Sequence, residues 1–482
     1  MKKIVLLISF IALTVSCTDD ITGLNADTKN PTTTKSEYLF TNAQKTLVDQ
    51  MVNSSVNKNV FRLFSQYWTE TTYPDESQYN LSTRPIPDFH FNTLYRDVLR
   101  DFKESKMLLD KQVVAGAQET AILNNKKAIV DIMSVYSYSV LVDTFGDVPY
   151  SEALDIEGHP LPKYDDAKTI YKDLLSRLTA DAALLNTTAG SFGSADLIYG
   201  GNAAKWKKFT NSLRLRLAVN ISDVDPSYAS TQIVAAVNSG LISSNADNTN
   251  LVYLTDISNA NPLYVDLVAS GRKDFVIADT FANKLNALSD PRRAKYFTFS
   301  PGTTNYVGGI YGAGNSYTNF SHINDAILDP TFAGTLFDYA EVEFLLAEAS
   351  ARGVAVGGTA ATHYTAAITA SMQNWGVAAT DIATYLAQPS VAFDAVNWKK
   401  SIGEQAWIGL YNRGFESWTS WRRLDFPVLA VPAITYNDIT TVPTRYTYPA
   451  GEQTINATNV TAASALITGG DKLTTKVFWD KF

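Results

Sequence analysis

Cysteine is almost absent. Cys17 is the only one in 482 residues, which excludes an internal disulfide scaffold and any cysteine-built zinc module. Histidine is nearly as scarce: His90, His159, His322 and His363 are scattered, leaving little for an imidazole metal site, and neither metal nor cofactor is expected. Positive charge is in the minority, with 40 Lys plus Arg against 48 Asp plus Glu and a formal charge of −8. That balance argues against a general nucleic-acid binder, whose basic face must neutralise phosphates. Catalytic signatures are also missing: no Gly-x-x-x-x-Gly-Lys-Ser/Thr, no Gly-x-Gly-x-x-Gly and no His-Glu-x-x-His occurs. Gly314-Asn315-Ser316-Tyr317-Thr318 begins as a nucleophile elbow does, but Thr318 stands where its second glycine belongs.

What is present is a globular composition, 45% apolar and 18% charged, too long for one simple core. Aromatic residues are abundant: 25 Tyr, 23 Phe and 8 Trp.

The lone cysteine is placed informatively. After Met1-Lys2-Lys3, an apolar run from Ile4 to Val15 leads to Ser16-Cys17. The run is too short for a bilayer-crossing helix, which needs about 20 residues, and reads as the core of a secretory signal. Leu13-Thr14-Val15-Ser16-Cys17 resembles a bacterial lipobox, with Thr14 where leucine is usual. Residues 1–16 are therefore expected to be a leader and Cys17 an acylated N-terminus. The plainer alternative is an ordinary signal with a coincidental cysteine. Residues 17–36 read as a polar tether, and no later segment approaches transmembrane length.

The body reads as helical. Tyr171, Leu174, Leu175, Leu178, Ala182 and Leu185 form one stripe; Trp206, Phe209, Leu213 and Leu217 form another. Further helices are expected near Glu37–Asn57, Asn59–Thr72, Asn92–Asp110, Pro226–Ser239, Asp274–Leu288, Thr359–Trp375 and Val396–Tyr411. Asn250–Thr255 is the best strand candidate. Tyr73–His90, Ser300–Thr335 and Asp425–Leu473 read as long non-helical stretches rich in Tyr, Asn and Thr, a composition suited to contact.

A sugar ring has apolar C–H faces and a polar rim, so aromatic side chains beside Asn and Asp suit it. Trp68, Tyr73, Asp75 and Tyr79 supply that chemistry on the first loop, and Tyr306, Tyr311, Asn315, Tyr317 and Phe320 on the glycine-rich one. The competing reading is that these aromatics simply hold the loops down. Glu341, Glu343 and Glu348 are the most tempting carboxylates for a glycosidase pair, against a salt-bridged helix face as the plainer reading.

Four stretches together resemble the SusD/RagB family, in its SusD-like branch. They are Asp143-Thr144-Phe145-Gly146-Asp147-Val148-Pro149-Tyr150, Gly201-Asn202-Ala203-Ala204-Lys205-Trp206 with Arg214 and Arg216, Tyr339-Ala340-Glu341-Val342-Glu343-Phe344, and Trp407-Ile408-Gly409-Leu410-Tyr411 through Trp418 to Trp421-Arg422-Arg423. These motifs read as structural: Gly146 as a helix-terminating residue, the tryptophans as core, the arginines as braces for helix carboxylates.

The resemblance implies a mainly α fold. About four tetratricopeptide-like helix pairs would form a scaffold, mainly 37–240 and 337–424, with a packed loop-rich subdomain, mainly 241–336 and 425–482, in one domain 37–482. It also implies a cell-surface lipoprotein of the bacterial outer membrane that binds oligo- or polysaccharide without catalysis. A SusC-like TonB-dependent transporter is the implied partner. Some members of this fold resemble oligopeptide receptors, and a surface glycoside hydrolase is the remaining alternative.

Overall fold

The computed structural model describes residues 33–482; the expected leader 1–16, Cys17 and most of the 17–36 tether lie outside the described residues. Ten helices carry the scaffold: α1 (Ser36–Val52), α2 (Arg100–Asp110), α3 (Ala117–Phe145), α4 (Ala167–Leu184), α5 (Ala203–Asn220), α6 (Pro226–Ser239), α7 (Tyr339–Ala351), α8 (Ala360–Asn374), α9 (Trp398–Gly409) and α10 (Gly414–Leu424). Asp166, Asn202, Asp338 and Thr359 cap α4, α5, α7 and α8, each side chain accepting the backbone amide three residues on. Such a cap satisfies one of the amides that a helix start leaves free. Gly146, at φ +86°, ends α3 in the left-handed region that glycine enters cheaply.

Consecutive helices pack as pairs, α3 on α4, α5 on α6, α7 on α8 and α9 on α10, with α1 against α2 before them. This is the tetratricopeptide-like scaffold of four pairs, with an additional N-terminal pair. The stripes Tyr171-Leu174-Leu175-Leu178 and Trp206-Phe209-Leu213-Leu217 are fully buried, each side chain stabilising the fold by about 1.5–3 kcal/mol. By length and composition α3 would cross a bilayer, a segment the hydropathy of the sequence did not lead us to expect, but 89% of its apolar window is buried inside the protein. It is a core helix.

The charges of the scaffold motifs are spent on one another. Glu341 accepts from Arg216 at 2.6 and 2.8 Å and also pairs with Arg413. Glu348 is held by Arg423 and Arg352, and Glu343 by His363 at 2.7 Å. Burial alone would raise Glu341, but the two guanidiniums outweigh it and hold its carboxyl below the usual range. Arg214 and Arg422 differ from expectation. Arg214 bonds Gln232, and Arg422 bonds the carbonyls of Asp143 and Thr444 while lying over Trp418. Trp206, Trp407 and Trp418 are buried and Trp421 half-buried.

Strand is sparse: β1 (Trp68–Glu70), β2 (Val148–Pro149), β3 (Tyr164–Asp165), β4 (Thr249–Leu251), β5 (Phe275–Ile277) and β6 (Gly334–Phe337) form three antiparallel pairs, β1–β5, β2–β3 and β4–β6. The helix expected over Asn59–Thr72 is confined to Phe61–Phe64. Gln66 turns left-handed, and the amides of Gln66 and Tyr67 close back on Leu63 and Arg62, a Schellman-type stop that releases the chain into β1. The closing stretch is less irregular than its composition indicates, with helices at Ala450–Ile455 and Ala457–Leu466. The segment expected as a helix from Asn92 is helical from Ile86, through a π-helical turn at Thr93–Leu99, into α2.

Candidate functional site

The pair β1–β5 is the base of a loop face. Residues 71–80 leave β1 and are fastened at once to the chain leading into β5: Thr71 donates its amide to Asp274 O (2.9 Å) and its hydroxyl to Lys273 O (2.6 Å). The glycine-rich loop lies on the other side. Asn315 N donates to Thr71 O, and the Asn315 amide donates to the carbonyls of Glu70, Ile310 and Ala313 at 2.7–3.0 Å. Gly308 is required here, since a Cβ would stand 2.5 Å from the Asp279 backbone.

These contacts correct four of the expected ligand residues. Trp68, only 1% exposed, donates Nε1 to Tyr411 Oη at 3.0 Å and lies beneath the Arg62 guanidinium. Tyr79 is buried against the edge of Phe64, Tyr311 is buried with its hydroxyl on Leu63 O, and Asn315 is the buried tie just described. None of the four has a face free for a ligand. Their residue types suit sugar contact, but pairing with distant segments turns them inward.

The other five reach the surface. Tyr73 is 71% exposed, and Asp75, Tyr306, Tyr317 and Phe320 are half-buried. Tyr317 stacks on His322 at 3.8 Å and 13°, with Lys273 Nζ 5.4 Å over its ring. Tyr306 packs on the exposed Phe299 at 4.7 Å, under the Arg293 guanidinium. Lys273 joins the Tyr317 stack to the start of the Tyr73 loop, because Thr71 is bonded to its carbonyl. The face thus offers rings steadied by neighbouring cations and interspersed with Asn305 and Asn319, both exposed.

Residues 428–440 complete the face. Tyr436 N donates to Gln78 O at 2.7 Å, and Gln66 Nε2 to Ala430 O at 2.6 Å. Beside this junction opens a cleft of about 340 Å³ lined by Ser82, Tyr436, Asn437, Asp438, Thr440 and Lys472. These residues were not singled out in the sequence; Tyr436-Asn437-Asp438 carries the same aromatic–amide–carboxylate pattern within the stretch already read as contact-prone. Gln66, Tyr73, Tyr79, Asn437 and Asp438 all have φ between +50° and +68°, and such non-glycine strain collects where function holds it in place.

Under the first loop lie two buried carboxyls. Glu70 accepts from the amide and hydroxyl of Ser77 at 3.0 and 2.7 Å, and Glu76 pairs with Arg84 while its Oε2 has no partner. Burial, reinforced by the Glu76 carboxyl, pushes Glu70 up to about 9, so at neutral pH it is protonated. Among the described residues, no group of three or more His, Cys, Asp or Glu side chains is placed to hold a metal ion.

A SusD-like family model, described as starch-binding and associating with the outer membrane, matches residues 28–449. The chain belongs to the SusD-like family. Its fold agrees with solved members. A chitin-binding protein is 27% identical with a TM-score of 0.81, covering 93% of this chain and 100% of its own. A SusD homologue from Bacteroides uniformis is 26% identical with a TM-score of 0.80, covering 92% and 100%. A chitin-binding SusD homologue from Flavobacterium johnsoniae is 25% identical with a TM-score of 0.79, covering 92% and 99%. No curated protein matches the chain. The SusD-like scaffold accounts for the four sequence motifs, all of which fall on α3, α5, α7, α9 and α10 or their ends.

Proposed function

We propose that this SusD-like protein binds oligo- or polysaccharide on the outside of the cell and passes it to a SusC-like TonB-dependent transporter, changing no covalent bond. Family membership over residues 28–449 carries this reading. The loop face supports it: Tyr73, Tyr306, Tyr317 and Phe320 supply rings for the apolar faces of sugars, and Asp75 and the cleft around Tyr436 supply the polar rim. Each stacked ring contributes about 1 kcal/mol, so a few of them with hydrogen bonds give an affinity of roughly millimolar to micromolar. Acylation at Cys17 would hold the face near the transporter, the acyl chains supplying about 0.8 kcal/mol per buried methylene.

The carboxylates that suggested hydrolysis are otherwise engaged. Glu341 and Glu348 are held by buried guanidiniums and Glu343 is bonded to His363 at 2.7 Å, and carboxylates so committed to the scaffold are poorly placed to donate a proton to a sugar or attack it. Isothermal titration of the mature chain against chitin oligosaccharides, starch oligosaccharides and a peptide digest tests the reading. Saturable binding of at least one glycan, with no reducing ends released, is the expected result. Binding of peptides alone, or release of reducing ends above a heat-killed control, overturns it.

A further inference from the structure

A second cleft, of about 420 Å³, opens between α1 and the segment 257–266. It shares no lining residue with the cleft of the loop face, and its volume lies within the ordinary range of small-ligand sites.

Its walls are unusual in backbone. Two π-helical turns occur among the described residues, Thr93–Leu99 and Val265–Ala269, and both feed this cleft, the first with Thr93 and Asp97, the second with Val265 and Asp266. π-Helical residues make up well under 1% of proteins, and such turns recur at functional sites. Each turn contributes an aspartate to the lining, Asp97 from the first and Asp266 from the second.

The chemistry is mixed in sign and without aromatic rings. Lys45 and Lys58 share the lining with Asp49, Asp97 and Asp266. Lys45 and Asp49 pair at 2.6 Å, and the Tyr253 hydroxyl donates to Asp49 at 2.7 Å, which fixes a donor beside an acceptor. Asp266 accepts Ser54 Oγ at a long 3.3 Å, leaving most of its lone pairs free. The three carboxylates are balanced by Lys45, Lys58 and the Arg96 that holds Asp97 at 2.7 and 2.8 Å, so the opening selects no ion of either sign, and the absence of rings in the lining removes stacking. What remains is a ligand whose edge presents adjacent hydroxyls, to be accepted by carboxylates and met by ammonium donors.

We propose that this cleft is a second saccharide site, taking one or two residues of an uncharged glycan by their hydroxyl groups. The proposal rests on the glycan-binding reading of the protein and adds a second point of grip. Occupied together with the loop face by one long chain, it makes the second contact intramolecular and raises avidity without new contacts at either site.

Hydrogen–deuterium exchange of the full mature chain, with chitohexaose and separately with maltohexaose at saturation, separates the possibilities. Slower exchange in peptides spanning 45–58 and 257–268 is expected, retained in Tyr73→Ala and lost in Asp266→Ala. Asp97→Asn, which keeps the shape of the wall, should weaken this protection about threefold in apparent affinity. In both aspartate variants the loops 71–80 and 431–440 should stay protected. Protection of those loops with none at 45–58 and 257–268 overturns the second site and leaves the glycan reading standing. Cleft protection that survives both aspartate variants also overturns the site. Absence of protection anywhere with both glycans defeats the glycan reading and the second site with it.

Discussion

Two buried acidic clusters solve the same electrostatic problem in opposite ways. In the scaffold, Glu341 sits between Arg216 and Arg413 and remains ionised. Beneath the loop face, Arg84 pairs with Glu76 alone, and Glu70, bonded to Ser77, holds its proton to about pH 9. The first arrangement locks α5, α7 and α10 together through charge. The second keeps a loop compact by staying neutral, a weaker constraint that alkali removes. A rigid frame and a conditional surface are thus built from the same residue type.

The sharpest test of the frame is Glu341→Ala, which strips buried Arg216 of its carboxylate and leaves Arg413 only Asp338 and Glu416. It should lower unfolding stability by about 3–5 kcal/mol in urea titration; a loss within experimental error would show the charge lock to be idle. Trp68→Ala comes next, removing the ring that supports the loop face from below. A stability loss of about 3 kcal/mol is expected, and any fall in glycan affinity should follow that loss, so a variant with normal stability and no binding would return Trp68 to the ligand surface.

Glu70→Gln probes the conditional side. Because burial raises the folded pKa of Glu70 above its unfolded value, its stabilising contribution is full below about pH 4.5 and falls as pH climbs toward about 9. The glutamine variant should therefore be more stable than the parent by about 1 kcal/mol or more at pH 8, and the difference should vanish near pH 4. Thermal melts across that range decide it; equal pH profiles would mean that the pair does not titrate as described. The smallest expected effect on folding belongs to Tyr73→Ala. Its exposed ring should leave the melting temperature unchanged while glycan affinity drops about fivefold, and unchanged affinity in calorimetry would remove Tyr73 from the site.

The scaffold was legible in the sequence because helices announce themselves locally. The spacing of Tyr171, Leu174, Leu175 and Leu178 names a buried stripe without knowledge of its partner, and Gly146 ends its helix by a rule of backbone geometry. The loop face was legible in composition and illegible in direction. Trp68 and Tyr73 lie five positions apart with similar chemistry, yet pairing of Trp68 with Ile277 turns one inward, while the left-handed turn at Tyr73 sends the other out. Tyr311 and Asn315 are buried for the same reason: their partners, Leu63 and Glu70, lie far away along the chain. The same long-range closure hid the cleft at Tyr436, whereas the stop after Phe64 is a local left-handed turn at Gln66 that no glycine announces.

Asn315 has a consequence for how the protein changes over generations. Its single amide anchors the glycine-rich loop through three backbone carbonyls and the Thr69 hydroxyl, so this anchorage does not involve the side chains the loop displays outward. Replacing the outward residues, Tyr317 or Phe320 among them, changes the chemistry of the surface and leaves this tie intact. What the loop displays is thereby free to drift while the tie beneath it stays fixed.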